Sequence, residues 1–189
     1  MEKNTGNGAG FVPATVGDVD FTLMNDGGAV FVLDAGASTC DDAGPDNLDP
    51  SGQCTIVFTS GSAGTITGKA SVTLSVEGVS LTRDTDPATA SICSGPGGSG
   101  PAVKRYVDAR IAIAPSDTNG ITEPPTFTVT VLKNAGDGLG FVPASGVTVT
   151  VTLTSAGGAA AVEIIGYLRR HGRRRPVRGD LQLQHGGAR

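Results

Sequence analysis

Tryptophan is absent from this 189-residue chain, and aromatic residues are few: two Tyr and six Phe. Lysine is scarce, at four residues, and both histidines, His171 and His185, fall in the last 27 positions. Nucleic-acid binding wants a basic stripe and aromatic stacking platforms, so this composition speaks against it. A body without His also lacks the commonest general acid–base group and the usual partner of Cys in zinc sites. No run reaches the 18 apolar residues of a membrane span. The segment MEKNTGNGAG has no apolar signal core, so a secreted chain would need its signal elsewhere. What is plentiful is Gly (29), Pro (11) and long tracts of Thr, Ser, Val and Ala. β-Branched residues suit a pleated surface and Gly supplies the positive φ of turns, so the composition predicts short β-strands joined by turns.

The net charge of −4 divides unevenly. Residues 163–189 hold seven Arg against Glu163 and Asp180, leaving a tail of +5 on a body of −9. Read alone, the run Arg169–Arg178 resembles an anion-binding patch.

An internal repeat changes that reading. KNTGNGAGFVPA at Lys3–Ala14 matches KNAGDGLGFVPA at Lys133–Ala144, an offset of 130. Through Val32 and Val162 the match runs to sixteen identities in thirty ungapped positions, which points to duplication. The first copy begins where the second has Val131. Either a GTG valine codon serves as the start at Met1, or the chain begins at a truncated repeat. After Val162 the repeat is lost. Shifted by one nucleotide, the codons of Tyr167–Gly172 permit Thr-Cys-Asp-Asp-Thr and those of Pro176–Gly179 permit Pro-Ser-Gly. The first copy has Thr39-Cys40-Asp41-Asp42 and Pro50-Ser51-Gly52 at those places. Residues 163–189 are therefore expected to be an out-of-frame, disordered tail.

Alternation of apolar with Thr, Ser or Asp predicts strands around Val19, Phe21 and Leu23; Ile56 and Phe58; Val72, Leu74 and Val76; Ile111 and Ile113; Phe127, Val129 and Val131; and Val147, Val149, Val151 and Leu153. No segment reads as a convincing helix. One-sided strands of this kind pack as antiparallel sheets, apolar faces inward. The glycine-rich GNGAG and GDGLG segments lack the Lys-Thr and helix start of a phosphate loop and read as hairpin turns.

The segments FTVTV and GFVPASGVTVTVTLT, with DPSGQCTIVFTSGSAGTITGKASVTLSV of the earlier copy, resemble bacterial Ig-like tandem repeats of the invasin and intimin type. The matching positions are Asp49, Gly52, Thr55, Phe58, Ala63, Gly64 and Thr65. The chain departs from that pattern in its insert Ala35–Leu48 and its Gly-rich stretch Ser94–Gly100. The resemblance implies an all-β, Ig-like antiparallel β-sandwich. It implies an Ig-like repeat lacking its first strands at 1–106, the front half of a second at 107–162, and the tail at 163–189. It implies an extracellular or cell-surface, non-catalytic structural or adhesive segment. The expected partners are neighbouring repeats of the same protein and a host or cell-surface ligand, with no nucleic acid and no membrane span.

The candidate sites are few. Cys40 and Cys54 flank a fourteen-step loop that a disulfide would staple, leaving Cys93 as a free thiol or a partner in a dimer. Asp41, Asp42, Asp46, Asn47 and Asp49 offer hard oxygen donors of the kind calcium takes, but without EF-hand spacing; acidic turns are more often solvated loops, and no other cofactor is expected. Asp84 and Asp86 form a lesser acidic cluster. Without a body His or a G-x-S-x-G elbow, no catalytic residue is assigned. A carbohydrate- or calcium-binding sandwich module, or a truncated fragment without independent function, is the alternative.

Overall fold

A computed structural model describes residues 1–40, 46–121 and 123–160. Among them the protein is all-β, with no helix, and every pair of strands is antiparallel. The spine is the thirteen-residue strand β6 (Gly64–Val76). Along one edge it pairs with β3 (Asp18–Asp26), in a register from Asp18↔Thr73 to Asp26↔Thr65. Its other edge is shared: β7 (Val79–Asp84) covers Ser71–Val76 and β8 (Ala102–Tyr106) covers Gly64–Gly68.

The period-two pattern explains which face is buried. Val72, Leu74 and Val76 are buried on β6, with Thr73 and Ser75 exposed between them. They cluster with Ala14, and Met1, Val19, Leu48 and Leu81 pack against the cluster. On the wet face the hydroxyls of Thr73 and Thr82, directly cross-strand, stand 2.8 Å apart. The β6–β7 turn is the two residues Glu77 and Gly78, with φ of 50° and 82°. Both left-handed values suit a tight hairpin, because that turn follows the strands' own twist.

Shorter pairs complete the architecture. β1 (Glu2–Lys3) pairs with β2 (Val12–Pro13), and β4 (Phe31–Leu33) with β5 (Phe58–Ser60). A three-stranded sheet is ordered β11 (Val142–Pro143), β10 (Thr128–Asn134), β9 (Asp108–Ala114). Val107 alone separates β8 from β9, so one extended segment leaves the four-stranded sheet and enters the three-stranded one. Compactness divides the chain elsewhere, into Met1–Pro143 and Ala144–Arg189. In the second unit, residues 144–160 are described and contain no strand.

That last observation corrects one expectation. Val147–Leu153 alternates like a strand but is not one. Its counterpart in the first copy, Gly17–Leu23, falls almost wholly within β3, which is held by nine ladder partners on β6. Among the described residues nothing stands in the place of β6 for the second copy. Alternation selects a face, but a strand also needs a partner for its backbone donors and acceptors. On β9, which does have its ladder partner in β10, Ile111 and Ile113 are 64% and 56% exposed. The tail 163–189 lies outside the described residues.

Candidate functional site: the acidic insert and the glycine junction

Cys40 and Cys54 are joined by a disulfide, with Cα atoms 5.0 Å apart, and Cys93 is a free thiol. Inside this staple, one side-chain oxygen each of Asp46, Asn47 and Asp49 accepts from backbone N–H groups. Asp46 Oδ1 accepts from Gly17 N at 2.9 Å. Asp49 Oδ1 accepts from Ser51 N at 2.8 Å and Gln53 N at 2.9 Å. Asn47 Oδ1 accepts from Val19 N at 3.0 Å, and its Nδ2 donates to Asp18 Oδ1, Val19 O and Cys40 O at 3.0, 3.1 and 2.9 Å. These are the bonds of side chains that brace a loop against β3. Asp41 and Asp42 lie outside the described residues. Among the described residues no group of three His, Cys, Asp or Glu gathers as metal ligands do.

The turn that carries Asp49, Gly52 and Thr55 has a physical reason for its glycine. Gly52 has φ of 73°, and a Cβ there would collide with Met1 O and lie 3.1 Å from Ala14 O. The Met1 amino group donates to Gly52 O, and Ala14 N donates to Met1 O at 3.1 Å. The turn thus closes onto the β1–β2 hairpin and the core residue Ala14. Thr55 N donates to Thr39 Oγ1 at 2.9 Å, and Thr39 N donates to Thr55 O at 2.8 Å, continuing the insert's two sides next to the disulfide.

The lesser acidic cluster is also internally satisfied. Asp84 accepts from the Thr89 hydroxyl at 2.7 and 2.6 Å and from Asp86 N at 3.0 Å. Asp86 Oδ2 meets Lys69 Nζ at 2.7 Å. That ammonium, with a backbone bond from Ala88 N, holds the Asp86 carboxyl below its ordinary pKa.

The second candidate is an open cleft of about 650 Å³ at one end of the four-stranded sheet. Two turns build its near wall: Gly27–Gly28, closed by Ala29 N donating to Asp26 O at 3.2 Å, and Gly61–Ala63, tied to the first by Ser62 Oγ donating to Gly28 O at 2.7 Å. Gly64 permits this approach, since a Cβ there would lie 2.6 Å from Asp26 O and 2.8 Å from Ala29 Cβ. The far wall is the β10–β11 hairpin loop with Gly138, Gly140 and Phe141. Gly136 is buried, and a Cβ on it would collide with Tyr106 O and lie 3.0 Å from Gly64 O. The Arg110 guanidinium carbon sits 4.4 Å from the centre of the Phe141 ring, a cation–π contact. Tyr106 secures the corner: its hydroxyl donates to Phe58 O at 3.3 Å, and the two rings are 6.5 Å apart.

GNGAG and GDGLG, expected as hairpin turns, are the loops of β1–β2 and β10–β11. The registers are the same at the 130-residue offset: Glu2↔Pro13 and Lys3↔Val12 against Leu132↔Pro143 and Lys133↔Val142. The Asx bonds match too, with Gly6 N donating to Asn4 Oδ1 at 2.9 Å and Gly136 N to Asn134 Oδ1 at 3.0 Å. Sequence reasoning found the repeated loop but not its packing: Gly64 and Tyr106, which meet it, lie outside the repeated block, and the repetition of Gly27 at Gly157 does not say what touches it. Searches against protein-family models, curated proteins and solved structures find no match to this chain.

Proposed function

We propose that this chain is a non-catalytic structural segment of an array of Ig-like β-sandwich repeats, which holds an adhesive or catalytic tip away from a bacterial surface or belongs to a secreted protein. The observation that carries the reading is the repeated hairpin: one sequence block, met twice 130 residues apart, folds each time in the same register with the same side-chain bonds. A rod is built by adding units whose ends fit one another. The Cys40–Cys54 bridge suits an oxidising compartment outside the cytosol. The engaged oxygens of Asp46, Asn47 and Asp49 favour a bracing role for the acidic insert over a ligand-binding one.

Brief protease treatment of intact cells that produce the protein, followed by detection with an antibody to residues 1–160, tests the location. Loss of the signal from unlysed cells, or its presence in the medium, is the expected result. A signal that is cut only after lysis would contradict the reading.

A further inference from the structure

The two copies of the glycine loop have the same conformation and different surroundings. Gly6, Gly8 and Gly10 have φ of 75°, 88° and 78°; Gly136, Gly138 and Gly140 have 68°, 82° and 73°. In the second loop the chain is close at two of the three glycines: Gly136 is buried against Tyr106 O and Gly64 O, and a Cβ at Gly27 would lie 3.3 Å from Gly138 N, while at Gly140 nothing lies within 4 Å. Around the first loop there is nothing within 4 Å of a Cβ at any of its three glycines. Phe141 is half-buried beneath Arg110, while its counterpart Phe11 is 50% exposed. The strand edges differ in the same way. β10 is paired on both sides, by β11 and β9, whereas β1 is paired by β2 alone. A surface that is already complementary to this loop is therefore present in the molecule, and the first loop is a second, uncovered copy of its ligand.

We infer that the Asn4–Phe11 loop is a docking face for another unit of this same kind, presenting the end formed by Gly27, Gly64 and Tyr106. The incoming unit lays its equivalent of β9 along the free edge of β1 and its equivalent of Arg110 over Phe11. This deepens the proposed array, and rests on it, by naming the joint between its units. The recognition is largely backbone against backbone: glycines on both sides allow the close approach, the strand edge supplies main-chain hydrogen bonds, and the Arg–Phe contact sets the orientation.

The test needs no substitution. Hydrogen exchange is followed by mass spectrometry in the full chain and in a chain lengthened by one period, residues 1–132 joined directly to residues 3–189. In the full chain, the peptide Asn134–Phe141 is expected to exchange at least tenfold more slowly than Asn4–Phe11. In the lengthened chain the two copies of Asn4–Phe11 give one and the same peptide, whose mass envelope is expected to split into a fast half and a half as slow as Asn134–Phe141. If that envelope stays single and fast, the docking face is wrong. If Asn134–Phe141 is itself as fast as Asn4–Phe11, the joint does not form in solution and the inference falls with it. Neither result bears on whether the protein lies at the cell surface, so failure here is distinct from failure of the proposed location.

Discussion

The side chain of Asn47 pairs with the backbone of Val19 as a neighbouring strand residue would, accepting from Val19 N at 3.0 Å and donating to Val19 O at 3.1 Å. It lies at the edge of β3 that β6 does not cover, and the same amide nitrogen reaches Cys40 O and Asp18 Oδ1. One residue therefore anchors the acidic insert to both the sheet and the disulfide. Asn47→Ala removes four hydrogen bonds at a partly buried site, and each such bond contributes about 0.5–1.5 kcal/mol net. The variant is expected to lose about 2–4 kcal/mol in urea unfolding. Asn47→Asp restores the acceptor, loses the donor and sets a carboxylate beside Asp18, so it is expected to recover little of that loss at neutral pH.

The Cys40–Cys54 bridge closes a loop with a sequence separation of 14. Such a loop is worth about 3 kcal/mol in the chain-entropy account. The double variant Cys40→Ser, Cys54→Ser is expected to unfold at correspondingly lower urea. Peptide mapping of the unreduced protein is expected to recover Cys93 as the thiol that alkylates.

Much of this was legible in the residues, and the failures have physical causes. β3, β6 and β10 announce themselves because apolar residues alternate with Thr, Ser or Asp over several turns of the pleat, and β9 by the spacing of Ile111 and Ile113 between alanines. β7 and β8 do not, because VSLTRD and AVKRY mix charges into short edge segments whose pairing depends on β6. Val147–Leu153 misleads for the converse reason: its pattern is right and its partner is not among the described residues. Spacing made Cys40 and Cys54 the candidate pair without fixing the connectivity of three cysteines. The role of Asn47 could not, since its contacts at Asp18 and Val19 are 29 and 28 residues away and no local pattern encodes them.

Glu77 occupies a left-handed position, φ 50°, in the β6–β7 hairpin, where residues other than Gly, Asn and Asp are strained. Glu77→Asn would form the Asn-Gly pair this turn prefers. The substitution is expected to raise stability by about 0.5–1 kcal/mol in urea unfolding, without altering the secondary-structure spectrum.

Asp86 supplies a pH dependence whose sign follows from its lowered pKa. A carboxyl that is more acidic folded than unfolded adds stability fully above its unfolded pKa, and that contribution is lost as pH falls through the folded value. The group is exposed to salt, so the effect is expected to shrink at high ionic strength. Lys69→Met removes the larger cause, and its stability is expected to fall less steeply than that of the unaltered chain over the same acid range.

The repeated glycine loop offers the most direct test of the joint between units. Gly6 and Gly136 share a left-handed φ, so alanine at either carries the same local strain, about 1 kcal/mol. Only alanine at Gly136 meets the carbonyl oxygens of Tyr106 and Gly64. The unfolding free energies of Gly6→Ala and Gly136→Ala, measured side by side, are expected to differ by about 1–3 kcal/mol, with Gly136→Ala the less stable. Equal losses would mean that the second loop does not rest on the end of the preceding sheet, and would contradict the account of a chain built from units that fit end to end.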